Sequence, residues 1–433
     1  MTRKTRRILF VLAILAFVAL GFAVTMYARG YRWDFKKNEL VLSGAVYVKS
    51  LSPKEAEVAL NQKPTNKTTA ALIKNLLPSR TYQVAVAKEG YQPWRKDFEI
   101  TEGLVAGNET VVLLPESLAG EIIWPEADLT DLAVSPNQKF AAAVISSSQL
   151  IIRDLTNINA TTTPIIFPDK RKTAAVGFLK NNRGWSANSK KFIFYRDISA
   201  RRLWYIWDNE KGLTDLTMVY ERQIVLKQAS ASPLPVKFSA EKVTWFGNDN
   251  NLLALINNRL FNLDIVNETI TDLKLSEIAD FESYENKIAA LKKPDIFLFM
   301  DSAVDNVSVL GQAKFAPQKI LFSPQGDKIA YVDETTLGVF WLKDTSRQPL
   351  KKVNDQEIVY LGAGEISETF WHRYGEHLVF LENQKLKTVE IDTRPPLNTA
   401  SWNETILGLD YLADNSKLFI LESEAVKSIE GEF

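Results

Sequence analysis

The sequence predicts a mainly β protein with one N-terminal transmembrane helix. Three observations support this: an uncharged apolar run near the N-terminus, short alternating apolar runs between turn residues, and a strand-turn-strand unit that recurs along the chain. The recurring unit is clearest in residues 319–344, KILFSPQGDKIAYVDETTLGVFWLKD. We therefore expect a membrane anchor first, a small β domain next, and a repeat architecture in the remainder.

The composition limits the class of protein. The 433 residues are 46% apolar and 24% charged, which is ordinary for globular domains and leaves room for two or three of them. Because 52 basic residues balance 52 acidic ones, no net charge attracts nucleic acid, and we predict no nucleic-acid partner. The absence of cysteine excludes disulfides, thiolate metal sites and cysteine nucleophiles.

The apolar run at residues 8–28 predicts an uncleaved membrane anchor. It carries no charge, and as a helix it would be roughly 30 Å long, which matches the hydrocarbon core of a bilayer. A cleaved signal peptide is the alternative, since small residues at Ala19, Gly21 and Ala23 fit cleavage positions. The apolar core of a signal peptide spans only about 7–15 residues, which favours the anchor. A buried core helix is disfavoured because the run has no polar face.

The flanking residues indicate the orientation of this helix. Four basic residues precede it within a short tail, and four more follow it: Arg3, Lys4, Arg6, Arg7, Arg29, Arg32, Lys36 and Lys37. We expect residues 1–7 to be a cytoplasmic tail, 29–40 to be a juxtamembrane linker, and the rest of the chain to be extracytoplasmic. Tyr27, Tyr31 and Trp33 suit the outer membrane interface.

Residues 41–115 predict a small antiparallel β-sandwich. Short alternating runs separated by turn residues fill the region: Ala45–Val48, Ala56–Leu60, Tyr82–Ala87, Phe98–Ile100 and Val111–Leu114. The segments 52–61, 67–68, 78–84 and 88–94 resemble the PEGA domain of prokaryotic envelope proteins, most specifically in the Tyr82 strand followed by Lys88-Glu89-Gly90-Tyr91. This resemblance implies an extracytoplasmic stalk or adhesive module without catalytic residues. An unrelated immunoglobulin-like spacer is the alternative.

The sequence departs from the PEGA pattern at three turns. Glu55 and Ser79 stand where the family has glycine, and Asn61-Gln62 replaces an Asp-Gly hairpin turn. Gly90 is retained, and the family pattern expects a positive φ there.

Residues 116–433 contain seven units with a common register. In each unit an aromatic or apolar residue precedes a second apolar residue by seven positions, with turn residues between them. The pairs are Ala133 and Phe140, Trp185 and Phe192, Trp245 and Leu252, Phe281 and Ile288, Phe322 and Ile329, Trp371 and Leu378, and Tyr411 and Leu418. An aspartate closes an apolar run later in six units: Asp154, Asp208, Asp264, Asp301, Asp344 and Asp392.

This repeat predicts a seven-bladed β-propeller. The interval between units ranges from 36 residues (Leu252 to Ile288) to 60 (Phe192 to Leu252), and three or four strands every 40–50 residues or so is typical of propeller blades. Ser323–Lys328, Ser135–Lys139 and Trp207-Asp208 resemble the turns and third strands of WD-like and TolB-like propellers. We expect strand 121–124 to pair in the final blade and close the ring.

The long interval before Leu252 indicates an insertion at about 210–241. It includes Ser230-Ala231-Ser232-Pro233-Leu234-Pro235, and a loop of this length is typically either functional or disordered.

The candidate chemical motifs favour structural interpretations. His372 and His377 lie across a turn without a third ligand nearby, so we predict no metal site. Gly362-Ala363-Gly364 has Ser367 at the third glycine position of a dinucleotide motif, which indicates a loop. The recurrent aspartates fit turn caps better than calcium ligands or paired carboxylates. Residues 201–207, RRLWYIW, predict a strand buried between blades, with a carbohydrate-stacking platform as the alternative.

Six Asn-x-Ser/Thr acceptors occur, and in a prokaryote most would arise by chance. They are Asn66, Asn108, Asn159, Asn267, Asn306 and Asn403.

The sequence therefore favours a non-catalytic binding or scaffolding protein of the cell envelope, anchored by one helix. No pattern marks catalytic, metal, cofactor or ligand-binding residues, and the propeller face loops are expected to bind an envelope protein or cell-wall glycan. The alternative is a hydrolase or lyase of glycan or peptide with its site at the channel mouth. A pair of channel-facing carboxylates with raised pKa values would favour this enzyme.

Overall fold

The structure is a computed structural model that describes residues 3–146, 148–156, 163–167, 174–180, 184–199, 201–228, 237–302, 306–412 and 417–429. The chain divides into two compact units. The first contains residues up to Leu114 together with 345–350 and 394–398. The second contains 115–344, 351–393 and 399–433. Both are built mainly from β-strands, as the sequence predicts.

The first unit begins with helix α1 (Arg3–Ala28), whose residues are exposed almost throughout. This helix is long and apolar enough to cross a membrane. Strands β1 (Tyr31–Asp34) and β2 (Glu39–Leu42) follow as an antiparallel hairpin. The stretch that we expected to be a juxtamembrane linker is therefore structured, and an ion pair of 2.7 Å between Arg80 and Asp34 holds the hairpin.

The rest of the first unit is a β-sandwich of two sheets with one shared core. One sheet has the order β6-β3-β9 and the other β5-β4-β7-β8. The strands are β3 (Gly44–Ser52), β4 (Glu57–Leu60), β5 (Lys63–Thr68), β6 (Ala71–Leu76), β7 (Thr81–Ala87), β8 (Trp94–Glu99) and β9 (Val105–Val112).

The prediction of a wholly antiparallel sandwich was wrong, because β3 and β9 pair in parallel. The alternation of apolar residues indicates which face of a strand is buried, but it carries no information on strand direction. Gly107 permits the close approach of these strands, since a Cβ atom there would lie 2.1 Å from the carbonyl oxygen of Tyr47.

The three turns that depart from the PEGA pattern have a backbone conformation that favours glycine. Glu55 has a φ of 59°, Asn61 of 49°, Gln62 of 65° and Ser79 of 55°, all in the left-handed region. Gly90 has a φ of 81°, as expected. The side chains at these four positions therefore adopt a sterically unfavourable backbone conformation.

The second unit contains seven four-stranded antiparallel sheets, which are the blades of a propeller. The first three are β11 (Leu129–Val134), β12 (Phe140–Ile145), β13 (Gln149–Asp154) and β14 (Thr163–Pro164); β15 (Ala175–Gly177), β16 (Lys191–Ile198), β17 (Arg201–Asp208) and β18 (Gly212–Asp215); and β19 (Ala240–Phe246), β20 (Asn248–Ile256), β21 (Arg259–Asp264) and β22 (Thr269–Ser276).

The next three blades follow the same consecutive order. They are β23 (Ile278–Tyr284), β24 (Lys287–Lys292), β25 (Ile296–Asp301) and β26 (Asn306–Gln312); β27 (Lys319–Phe322), β28 (Lys328–Val332), β29 (Thr336–Trp341) and β30 (Gln356–Leu361); and β31 (Ile366–Trp371), β32 (His377–Glu382), β33 (Lys385–Glu390) and β34 (Thr399–Ser401).

The seventh blade combines both ends of the second unit. Strands β35 (Gly408–Leu412), β36 (Lys417–Leu421) and β37 (Val426–Ile429) supply three strands, and β10 (Glu121–Trp124) supplies the fourth. Strand β10 pairs antiparallel with β37, with Trp124 opposite Val426. The strand expected in the final blade is therefore found there.

The seven-residue interval of the sequence corresponds to a direct cross-strand pair in five blades: Trp185 with Phe192, Trp245 with Leu252, Phe322 with Ile329, Trp371 with Leu378, and Tyr411 with Leu418. We call the first member of each pair the bridge residue. In the first blade the bridge residue is Val134, opposite Ala141, so the sequence assignment to Ala133 was one residue off.

The fourth blade departs from the interval, and the assignment to Phe281 was wrong. Its bridge residue is Ser283, opposite Ile288. A tight hairpin between the paired residues Tyr284 and Lys287 replaces the longer turn of the other blades.

Tryptophan at the bridge position joins neighbouring blades. The indole Nε1 of Trp185 donates to the carbonyl of Ala133 at 3.1 Å, that of Trp245 to Gly184 at 3.1 Å, and that of Trp371 to Leu321 at 3.1 Å. Each acceptor immediately precedes the bridge residue of the preceding blade. The repeated tryptophan is therefore an inter-blade contact.

The insertion predicted at 210–241 contains a helix, α2 (Leu216–Gln228). Leu216, Tyr220 and Ile224 are buried against the second and third blades. The Tyr220 hydroxyl donates to the carbonyl of Asp264 at 2.9 Å. This part of the insertion is therefore core structure, while residues 229–236 lie outside the described residues.

Candidate functional site

A cavity of about 400 Å³ lies where the first strands of several blades begin. First strands of neighbouring blades contact one another, as β23 does β27 and β31 does β35, which is the arrangement around a propeller channel. The cavity is lined by charged, amide and apolar side chains: Lys180, Lys242, Asp280, Lys319 and Glu368; Gln318; and Phe178, Leu179 and Phe370. We call it the strand-start cavity.

Four of the five charged lining residues share one register position. Lys242, Asp280, Lys319 and Glu368 each lie three residues before the bridge residue of their blade, and so does Asp131 in the first blade. Apolar periodicity does not reveal this set. Counting back three residues from the predicted positions would have found Lys242, Lys319 and Glu368, but not Asp131 and Asp280, because the bridge residues of the first and fourth blades were misassigned.

Backbone irregularities accompany these residues. The register of the first strand shifts beside Asp131, Lys242, Asp280 and Glu368, between the first and second strands of the blade. Such bulges bend a strand and re-aim its side chains. The bulges thus turn polar side chains of otherwise apolar strands toward the cavity.

Lys180 is the centre of an ion cluster on one side of the cavity. Its Nζ lies 2.6 Å from Oδ1 of Asp131 and also pairs with Glu368. Burial alone would lower the pKa of Lys180, but the two adjacent carboxylates outweigh it and raise this pKa. Burial raises the pKa of Glu368, even though Lys180 acts in the opposite direction. The lysine is therefore firmly cationic within the cluster.

Asp410 lies behind this cluster and is fully buried. Its Oδ2 accepts a hydrogen bond from the backbone N–H of Val134 at 2.7 Å, and its Oδ1 accepts one from the N–H of Tyr411 at 3.0 Å. Burial raises the pKa of Asp410 to about 7, against the effects of these hydrogen bonds and of Lys180. The carboxyl therefore titrates near neutral pH without reaching the cavity.

Lys242 and Asp280 form a second ion pair on the cavity wall. The Nζ of Lys242 lies 2.7 Å from Oδ1 of Asp280 and 2.6 Å from the carbonyl oxygen of Phe281. The second oxygen of Asp280 accepts the N–H of Ile320 at 2.9 Å. Similarly, Glu368 accepts the N–H of Leu409 at 2.6 Å.

Three carboxylates in and behind the cavity wall join neighbouring blades. Asp280 joins the fourth blade to the fifth, Glu368 joins the sixth to the seventh, and Asp410 joins the seventh to the first. The arrangement fixes the charged side chains before any ligand arrives. The cavity thus combines preorganised charged groups with apolar side chains, which is suited to binding.

The histidine pair is part of a blade turn. The N–H of His372 donates to the carbonyl of His377 at 2.9 Å, both residues are buried, and the His372 ring stacks beside Tyr411. Across the described residues, no group of three His, Cys, Asp or Glu side chains is placed to hold a metal ion.

Three of the six recurrent aspartates cap the turn that follows their strand. Asp154 accepts the N–H of Thr156 at 2.8 Å, Asp208 that of Glu210 at 2.8 Å, and Asp264 that of Val266 at 2.8 Å. Hydrogen bonds from Thr156 lower the pKa of Asp154. This is the capping role that the sequence predicts. The described contacts of the next two aspartates are different: Asp301 accepts the side-chain amide of Asn286, and Asp344 accepts the N–H of Val353, nine residues later.

Two further motifs are also structural. Gly362–Gly364 is a loop in which the N–H groups of Ala363 and Gly364 face Glu382 at 3.1 and 3.4 Å. In β17, Trp204 is fully buried and its indole donates to the carbonyl of Ala240 at 2.8 Å. The strand therefore offers no exposed Trp204 surface for stacking a sugar.

Among the possible glycosylation acceptors, Asn108 is buried and its side chain accepts the N–H of Thr110 at 2.8 Å. Asn159 lies outside the described residues.

Comparison with known proteins agrees with this architecture. Residues 43–108 match the model of the PEGA domain, within the range 41–115 that the sequence analysis assigned. A solved structure similar to the chain is the β-propeller domain of Cps50 (Swd1) from Myceliophteria thermophila, with a TM-score of 0.48 and 11% identity, covering 72% of this chain and 99% of that one. No curated protein matches the sequence. The chain combines a region similar to PEGA domains with a seven-bladed β-propeller.

Proposed function

We propose that this is a membrane-anchored, extracytoplasmic scaffolding protein of the cell envelope that binds a protein partner at the strand-start cavity without catalysis. The observation that carries the proposal is the cavity itself, whose fixed charges surround the apolar side chains of Phe178, Leu179 and Phe370. A pocket of this kind suits an apolar side chain flanked by polar groups.

The chemistry of the cavity favours a peptide segment as the ligand. Both signs of charge are present, since Lys319 and Lys242 lie near Asp280 and Glu368. A polypeptide presents N–H and C=O groups together with an apolar side chain, and can use both kinds of lining. A cell-wall glycan is the other class considered, but Trp204 is buried and gives it no stacking surface.

The proposed topology places the propeller outside the cell, with α1 as the anchor. The basic residues Arg3, Lys4, Arg6 and Arg7 precede the helix, and such residues favour the cytoplasmic side. Because the chain has no cysteine, single cysteines can report topology. An impermeant thiol reagent should label Gln318→Cys in intact cells and Lys4→Cys only after permeabilisation. The reverse pattern would contradict the topology.

Photocrosslinking tests the binding site. Gln318 is exposed and lines the cavity, while Asn250 is exposed near the start of β20, beside the end of β19 that lies away from the cavity. A photoreactive residue at 318 should capture a protein that the same residue at 250 does not. Equal capture at both positions, or none, would contradict a partner at the cavity.

The enzyme alternative has one specific observation in its favour. Glu368 lines the cavity and has a raised pKa, and both Glu368 and Asp131 form ion pairs with Lys180. These two carboxyls would act as the acid-base pair of a glycan or peptide hydrolase. Loss of a hydrolytic activity in Glu368→Gln, with unchanged crosslinking at 318, would favour the enzyme over the scaffold.

A further inference from the structure

The hairpin of β1 and β2 has two faces of opposite character. Tyr31 is opposite Leu42 and Trp33 is opposite Leu40, and cross-strand partners project from the same side of a hairpin. This side is exposed, with Trp33 at 47% and Leu40 at 41% of full accessibility. On the other side, Asp34 is buried. The hairpin is thus fixed to its unit by one face and presents apolar residues on the other.

The exposed face continues onto the end of α1. A cavity of about 640 Å³ is lined by Phe22, Ala23 and Met26 of the helix and by Trp33, Phe35 and Leu40 of the hairpin. Phe22 is six residues before the helix end at Ala28, or roughly 9 Å along the axis. The tip of the hairpin therefore reaches back beside the apolar part of the helix.

The tip combines an aromatic residue with basic ones. Phe35 is 87% exposed and is followed by exposed Lys36 and Lys37. Arg29, at the helix end, is also exposed. This is the arrangement of interfacial membrane segments, in which rings enter the acyl region and cations meet lipid phosphates.

We infer that the exposed face of the hairpin rests on the phospholipid surface of the bilayer that α1 crosses. Phe35 and Trp33 enter the lipid beside Phe22, and Lys36 and Lys37 lie at the level of the phosphates. Lipid is the occupant because the surface is continuous with a helix that itself lies in lipid. The inference rests on the proposed anchoring, and it adds that the membrane also fixes the first unit through a second element.

Depth-dependent quenching tests this on the full-length protein. Single cysteines at Phe35, at Leu15 within α1 and at Glu89 in an exposed turn would carry an environment-sensitive fluorophore. The proteins would be reconstituted into phosphatidylcholine vesicles with and without phosphatidylglycerol, using lipids that bear a nitroxide on the acyl chain.

The expected result is that the labels at 35 and 15 lose most of their fluorescence to the nitroxide lipid while the label at 89 keeps it. The change Lys36→Glu with Lys37→Glu should reduce quenching at 35 more in the vesicles that contain phosphatidylglycerol. Quenching at 15 with a water-exposed label at 35 would overturn the inference and leave the anchor intact.

Two other outcomes also overturn it. A label at 35 that is shielded from water but not quenched would show that a protein, either a partner or a second copy, covers the hairpin. An unquenched label at 15 would show that the helix does not cross the bilayer, and both the anchor and the inference would fail.

Discussion

The Oδ2 atom of Asp410 accepts a hydrogen bond of 2.7 Å from the backbone N–H of Val134. It joins the first strand of the last blade to the first strand of the first. Two features of the seventh blade thus close the propeller ring: β10 is its outer strand, and the buried carboxyl of Asp410 links its inner strand, β35, to the first blade.

This carboxyl should make stability depend on pH. Because the folded pKa is about 7 and the unfolded one about 3.9, the folded state binds the proton more tightly. Asp410 contributes most to the free energy of unfolding below its unfolded-state pKa. This contribution, up to roughly 4 kcal/mol, is lost as the pH rises through about 7. Asp410→Asn should remove this slope, as measured by unfolding midpoints between pH 4 and 8. The same slope in the variant would contradict the assignment.

Removal of the Lys180 ammonium should destabilise the propeller. Lys180→Met leaves Asp131 and Glu368 without their shared partner in a largely buried place, and breaking such a cluster costs about 3–5 kcal/mol. The matched control is Lys190→Met, whose partner Glu210 is exposed. We expect a large fall in the thermal midpoint for the first variant and none for the second, and equal midpoints would contradict the account.

The indole contacts between blades should contribute measurably. Trp371→Phe keeps a ring at the bridge position but removes the donor to the buried Leu321 carbonyl, which should cost about 1–2 kcal/mol. Trp33→Phe, in the exposed hairpin, is the control and should not alter propeller unfolding. Denaturant titration followed by far-ultraviolet circular dichroism would measure both, and a silent Trp371→Phe would show that only ring packing matters.

Restoring glycine at a turn that departs from the PEGA pattern should stabilise the first unit. Ser79 has a φ of 55°, a conformation that costs a residue with a side chain about 1–2 kcal/mol. Glycine would relieve this strain, but its greater entropy in the unfolded state offsets part of the stabilisation. Ser79→Gly should therefore stabilise the first unit by about 0.5–1 kcal/mol. Thr101→Gly, at an exposed loop position of the same unit without a positive φ, should not stabilise it. Destabilisation by Ser79→Gly would contradict the argument.

The strands were predictable because their signals are local. Alternation located the bridge residues in most blades, and turn residues located their hairpins. The fourth blade was misplaced because the tight turn between Tyr284 and Lys287 changes the interval while leaving the apolar pattern intact. Helix α2 left a weaker signal, since Leu216, Tyr220 and Ile224 recur at helical spacing within a stretch we took as a loop.

The cavity was not predictable in the same way. Lys180 follows a short strand, and its partner Glu368 is 188 residues away. Such a pair depends on ring geometry, which apolar periodicity does not encode. The parallel pairing of β3 with β9 was also missed, because apolar alternation carries no information on strand direction.

The most direct test of the proposed binding site is the crosslinking yield from position 318 in cells that produce a variant with a narrowed cavity. Leu179 lines the cavity, and Leu179→Trp should place a larger ring in the space that the partner's side chain would occupy. With the fold verified by an unchanged unfolding midpoint, the account predicts that the protein captured from position 318 is lost in this variant. Undiminished capture of the same protein would contradict a partner bound in the strand-start cavity.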